Sequence, residues 1–288
     1  MIFVVEDIPR SFGDDYDNHV IFKDLKSIMQ FYQTLSWSNY SPVDFAGILS
    51  KSKVLNIPTY IFSSLAGTIE SIFVLLQNGR CNDSMALVRK YCDTIILDVY
   101  LRILIGEINN KILSESSLKE IVNNDVSKWV DSEGRLFDEK KIMKVYSKIS
   151  KSYPVLTDLF KLKDSKALYH KLRNVCNDNM HNNFLYTLIA NDAEIIKARK
   201  DIRSVMIKNI SKAVRHFFSI HFAFIYSADC AYFMSSDYID YLECGHQPPE
   251  GSEKWVTSSV QEAFNVLKGT EPEVAKYLYN LDLMDLEM

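Results

Sequence analysis

The stretch that decides the fold is TYIFSSLAGTIESIFVLLQNGRCNDSMALVRKYCDTIILDVYLRILIGEI, residues 59–108. Its apolar side chains recur three and four residues apart on both sides of Asn78-Gly79, the period of a buried helix face rather than of a strand. Asn-Gly ends one helix, because glycine at the first position beyond it accepts the left-handed conformation. Asn82 or Asp83 is placed to cap the next. Two long helices, 59–76 and 82–108, are therefore expected, and a connection this short makes them antiparallel neighbours.

The same period extends outward. An amphipathic segment over 20–36 precedes the pair, with Pro42 and Pro58 marking the connection. After a polar excursion over 109–138, holding one short helix near 118–129, helix resumes over 139–150 and again from Pro154 through Leu159, Leu162, Leu168, Leu172, Cys176 and Met180. Asp192 or Asn191 caps a last long helix over 193–242, which Cys244-Gly245-His246-Gln247-Pro248-Pro249 terminates. Two short helices, 253–267 and 272–281, and a mildly acidic tail complete the chain. The fold class is all-α, an antiparallel helical bundle with long core helices and short terminal ones. It divides into a helical extension over 1–58, the bundle over 59–245 and short helices over 246–288.

Composition agrees with this. Only 9 glycines and 7 prolines in 288 residues disfavour a turn-rich β architecture, and 47% apolar residues can fill a substantial core. The five cysteines, Cys81, Cys92, Cys176, Cys230 and Cys244, are an odd, scattered set without a CxxC pair, as reduced thiols in a cytoplasm would be. The opening MIFVVEDIPR has acidic residues where a secretion signal needs a basic region. The apolar runs over 95–105 and 217–234 are broken by Asp98, Arg102, His221 and Asp229, so no membrane span is expected there.

Chemistry concentrates in HKLRNVCNDNMHNN, residues 170–183, with five asparagines, two histidines, an arginine and an aspartate. Asparagine is a mediocre helix former, so a merely solvated helix face is usually written with Lys, Glu and Gln. On a helical wheel, Arg173, Asn177, His170, His181, Asn174 and Asp178 fall within an arc of about 140°. Leu168, Tyr169, Leu172, Val175, Cys176 and Met180 occupy the other side as a core stripe. The asparagines also suit a cap or turn, and that alternative stays open. Residues 138–215 carry 17 Lys and Arg against 8 Asp and Glu in a chain of net charge −4. A basic block around such a face fits a phosphate-rich partner, and equally a solvated helix face with Lys140, Lys141, Lys144 and Lys148.

With ALVRKYCDTIILDVYL (86–101) on an early helix and LRNVCNDNMHNN (172–183) on a later one, the chain resembles the HEPN superfamily of bacterial defence and toxin proteins. The family hallmark is an arginine, a polar residue and then a histidine after four to six intervening residues. Here Arg173 is followed by Asn174, and His181 stands after seven. The resemblance implies a metal-independent endoribonuclease, needing no cofactor, of a toxin or anti-phage defence system. It would be a homodimer whose arginines and histidines face one cleft, with RNA as partner and a partner protein or antitoxin possible. Arg173 would hold the phosphate and His181 would move the proton of a 2′-hydroxyl or a leaving oxygen. Asn174 and Asn177 would orient them, with His170 and Asp178 in support.

Rival constellations are thinner. Asp178 with His181 and Glu243 with His246 have metal-ligand spacing, but Gly245 and the prolines end the second helix, and no bridging glutamates accompany them. No GxSxG, Walker loop, HExxH or glycine-rich dinucleotide turn occurs. Outside enzymes, the alternative is a non-catalytic helical interaction module that binds RNA or a partner protein. The aromatic run over 216–233 reads as core or dimer seam, with His216 and His221 satisfied by neighbours. Arg89 and Asp93, four apart, read as an intrahelical pair that could also reach across the bundle.

Overall fold

A computed structural model describes residues 11–37, 57–113 (105–113 by backbone alone), 151–160 and 185–288, with positions 128–129, 148, 170, 174 and 177–178 between them. Among the described residues the fold is all-α. The principal helices are α1 (Asp14–Asp17), α2 (Ile21–Trp37), α3 (Ile57–Gln77), α4 (Cys81–Leu113), α5 (Pro154–Leu159), α6 (Leu185–Ile189), α7 (Ala193–Ala198), α8 (Lys200–Ala228), α9 (Asp237–Glu243), α10 (Ser258–Thr270) and α11 (Pro272–Leu281).

Five of them close a ring. Helix α3 packs between α2 and α4, α4 packs on α8, α8 on α10, and α10 returns to α2. Inside lies one continuous apolar cluster running from Phe12 to Leu286. Its centre is aromatic: Phe31 meets Phe218 edge-on with ring centroids 5.5 Å apart, Phe222 lies 4.8 Å from Phe233, and Phe264 of α10 stacks on Phe222 at 5.9 Å. The aromatic run over 216–233 is core.

Local chemistry explains the helix ends. At the close of α3, Gly79 has φ +70°, its N–H donates to the Leu76 carbonyl at 2.9 Å, and the Arg80 N–H donates to the Leu75 carbonyl at 2.9 Å. This is the doubly bonded glycine stop that Asn78-Gly79 led one to expect. Helix α4 begins at Cys81, ahead of the expected Asn82 or Asp83 cap, because its first turn is satisfied by a distant partner. The Asp83 N–H donates to Asn191 Oδ1 at 3.1 Å, Asn191 Nδ2 returns a bond to Asp83 Oδ1 at 2.7 Å, and the Cys81 N–H donates to the Ala190 carbonyl at 3.2 Å.

The expected helix over 193–242 is three α-helices, α7, α8 and α9, with a 3-10 turn between the last two. Asp192 caps α7 as foreseen, its Oδ1 accepting from Glu194 N at 2.9 Å and Ile195 N at 3.1 Å. The chain breaks at Arg199, where the Arg203 guanidinium takes the freed Lys197 carbonyl at 2.7 Å and pairs with Asp15 at 2.5 Å. Helix α8 ends at Ala228, and a 3-10 turn over Cys230–Phe233 folds Tyr232 and Phe233 into the core. Burial of two rings outweighs continuation of the helix. Helix α10 starts at Ser258 with Thr257 as its cap, five residues later than expected, and α11 has the expected bounds. The expected helices over 118–129 and 139–150 lie largely outside the described residues, while α4 runs on to Leu113 in the stretch read as polar excursion.

Helix α3 is, among the described residues, long and apolar enough to cross a membrane. That stretch went unremarked in the sequence. Its Ile61, Phe62, Leu65, Ile69, Ile72 and Leu76 are buried in the ring, whereas Ser63, Ser64, Gly67, Glu70 and Ser71 face outward, an arrangement compatible with a soluble core helix.

Candidate functional site

Arg173 and His181 lie outside the described residues. Of the other members of the polar segment, His170, Asn174, Asn177 and Asp178 are all helical; Asn174 is exposed and the other three half-buried. Asn177 faces α4: its Oδ1 accepts a hydrogen bond from Arg89 Nη1. The same guanidinium holds Asp93 on its own helix, with Nε 3.6 Å from Oδ2. Arg89 therefore does both things the sequence allowed it, pairing within its own helix and bringing a cation from the early helix to the polar segment. Immediately after that segment, α6 exposes Leu185, Tyr186 and Leu188.

A second polar assembly sits inside the ring, where the sequence showed only interruptions. Helix α4 supplies Asp98, Arg102 and Tyr91, α2 supplies Tyr32, and α8 supplies His221. Arg102 Nε donates to Asp98 Oδ2 at 2.6 Å, His221 Nε2 lies 2.9 Å from the same oxygen, Tyr32 Oη lies 2.8 Å from His221 Nδ1, and Tyr91 Oη is 3.3 Å from Tyr32 Oη. A carboxylate can only accept, so His221 carries its proton on Nε2 and accepts the Tyr32 O–H at Nδ1. Burial lowers the proton affinity of His221 more than Asp98 restores it, which keeps the ring neutral in this tautomer. Burial alone would raise the Asp98 carboxyl, but Arg102 and His221 outweigh it and hold it at about 2. The guanidinium rests on the faces of Phe62 and Tyr232, 5.3 and 5.2 Å from their centroids.

This Asp–His–Tyr chain has the connectivity of a proton relay, yet His221 is 0% and Asp98 1% exposed. No substrate reaches them, so the network orders the core: α2, α4 and α8 each contribute a group that loses its partner if another shifts. The sequence carried a signal for it, since Asp98 and Arg102 stand four apart in an otherwise apolar helix.

The remaining rivals have little geometry behind them. Glu243 closes α9 and His246 follows Gly245 at φ +72°, so the two do not share a helical turn, and both are exposed. Among the described residues no three His, Cys, Asp or Glu side chains are grouped as metal ligands would be. Cys81, Cys92, Cys230 and Cys244 are free thiols, and burial pushes Cys81 up to about 11, far from a nucleophile's range. Cys244, unlike the others, is exposed. No family model matches the chain, and neither a curated protein nor a solved structure resembles it.

Proposed function

We propose that the protein is a cytoplasmic, metal-independent endoribonuclease resembling HEPN toxins and anti-phage defence proteins, working as a homodimer on RNA. The observation that supports this most is the bond from Arg89 to Asn177. It joins Asn177 of the 170–183 segment to the early helix, and the resemblance rests on those two stretches. In this reading Arg173 grips the scissile phosphate and His181 exchanges the proton of the attacking 2′-hydroxyl. Asn174 and Asn177 orient them, His170 and Asp178 stand in support, and Arg89 positions Asn177. Exposed Leu185 and Leu188, immediately beyond the segment, offer apolar area for a second subunit.

The test is incubation of purified protein with total RNA, with and without EDTA, followed by end-group analysis. Cleavage that resists the chelator and leaves cyclic-phosphate ends is expected. Arg173→Ala and His181→Ala should each lower the rate by about 100-fold or more while leaving the circular-dichroism spectrum unchanged. Activity lost with EDTA would assign the chemistry to a metal instead. The exposed leucines of α6 also support a second reading, a non-catalytic module that holds RNA or a partner protein such as an antitoxin. Tight RNA binding by the wild type with no cleavage would select it.

A further inference from the structure

Apart from the segment and the buried network, a cleft of about 390 Å³ opens where the turn before α2, the middle of α8 and the junction of α10 with α11 meet. Helix α8 presents Lys208, Lys212 and Arg215 to it along one stripe, four and then three residues apart, a run of about 10 Å. His19 and His216 flank the stripe, and Gly269 and Thr270 form the far wall.

The positive charge there is only partly neutralised. Arg215 is tied down by Asp24, with Nε 3.1 Å from Oδ2, and a side chain at Gly269 would press on its guanidinium, since a Cβ there would lie 3.2 Å from Nη2. Glu271 is engaged by His216, Nδ1 to Oε1 at 3.2 Å. Lys208 and Lys212 are exposed and have no carboxylate partner among the described residues. His19 feels the surplus: burial, then Arg215 and Lys208, lower its proton affinity. Its Nδ1 accepts the Ile21 N–H at 3.2 Å, so the ring's remaining proton is on Nε2.

We infer that this cleft is a phosphate-binding site that grips the sugar-phosphate backbone of a single-stranded nucleic acid. The wall chemistry points to the backbone rather than to a mononucleotide. Lysines, an arginine and imidazoles suit phosphate oxygens, whereas among the described residues the cleft is lined by no Phe, Tyr or Trp on which a base could stack. A stripe along a helix, open to solvent, also fits a continuing strand better than a compact ligand. The site does not depend on cleavage chemistry, because it would serve a nuclease and a binding module alike.

The experiment uses the full chain and a 2′-O-methyl RNA 20-mer, which lacks the nucleophilic hydroxyl and cannot be cut by the proposed route. Fluorescence anisotropy across a salt series should give a linear fall of log affinity with log salt. Lys208→Gln/Lys212→Gln should weaken binding about tenfold and flatten the slope by about 1.4, two counterions' worth for a single strand. Lys254→Gln/Lys276→Gln, which removes the same charge from outside the cleft, should change neither by more than a fraction of that. A DNA 20-mer of the same sequence should bind equally. Unchanged affinity and slope in the cleft variant, equal losses in both variants, or inhibition by a mononucleotide at far lower concentration than by inorganic phosphate would each overturn the assignment. Failure of the cleavage assay alone would leave it standing.

Discussion

At the scale of single residues, His221 makes stability depend on pH below the ordinary imidazole value. Its proton affinity in the folded state is below that of the unfolded chain. The stability it contributes is therefore complete above the unfolded value near 6.5 and is lost as pH falls through the lower folded value, by about 1.4 kcal/mol per pH unit while the two states differ by a full proton. Asp98 has the same sign but acts only below pH 4, because its folded value is about 2. Urea unfolding at pH 7.5 and 5.5 should show a falling midpoint in the wild type. His221→Gln should lower stability by about 3 kcal/mol at pH 7.5, as expected for breaking a buried charged network, and should flatten the pH dependence. His19 shifts in the same direction and is common to both proteins, so the difference between them belongs to His221. A variant with the wild-type pH slope would refute the neutral assignment.

Helix boundaries show what is readable at the scale of elements. Gly79 and Asp192 were legible because their work is local: one supplies a left-handed backbone, the other an oxygen within three residues. Gly79→Ala should cost about 2 kcal/mol or more, because φ +70° strains an L residue and the new Cβ would stand 2.5 Å from Phe12 Cε1. Asp192→Ala should cost about 1 kcal/mol, the usual loss of an N-cap. Equal midpoints for these two variants in thermal unfolding would contradict the packing at Gly79. Boundaries set by distant groups stayed hidden. The break at Arg199 is held by Arg203 reaching Asp15, nearly two hundred residues away, and the stop at Ala228 is set by aromatic burial. The candidate site has the same character. The 3.6-residue period brings Arg173 and His181 to one face on paper, and the sequence allowed Arg89 a reach across the bundle without showing that Asn177, 88 residues away, would meet it.

For the molecule as a whole, the helix at 21–37 reads from sequence as part of an extension, and in the structure it completes a ring. Period and composition say that α2 is amphipathic without saying what covers its apolar face. The cover comes from α3 on one side and from α10 on the other, where Thr34 Oγ1 and Ser259 Oγ lie 2.7 Å apart and Phe264 stacks into the Phe31 cluster. Phe264→Ala should cost about 3–5 kcal/mol, as a buried ring lost from a core that cannot collapse around it. Ending the chain after Thr257 should do worse: a broad, non-cooperative melt and binding of a hydrophobic dye are expected, and a sharp transition would contradict the ring.

Ring closure also sets a timetable for biogenesis. Helix α2 leaves the ribosome more than two hundred residues ahead of α10, an interval on the order of tens of seconds at ordinary elongation rates. Throughout it, half of the α2 apolar face is without its lid, so the nascent chain is an obvious client for holding chaperones until the last segment emerges.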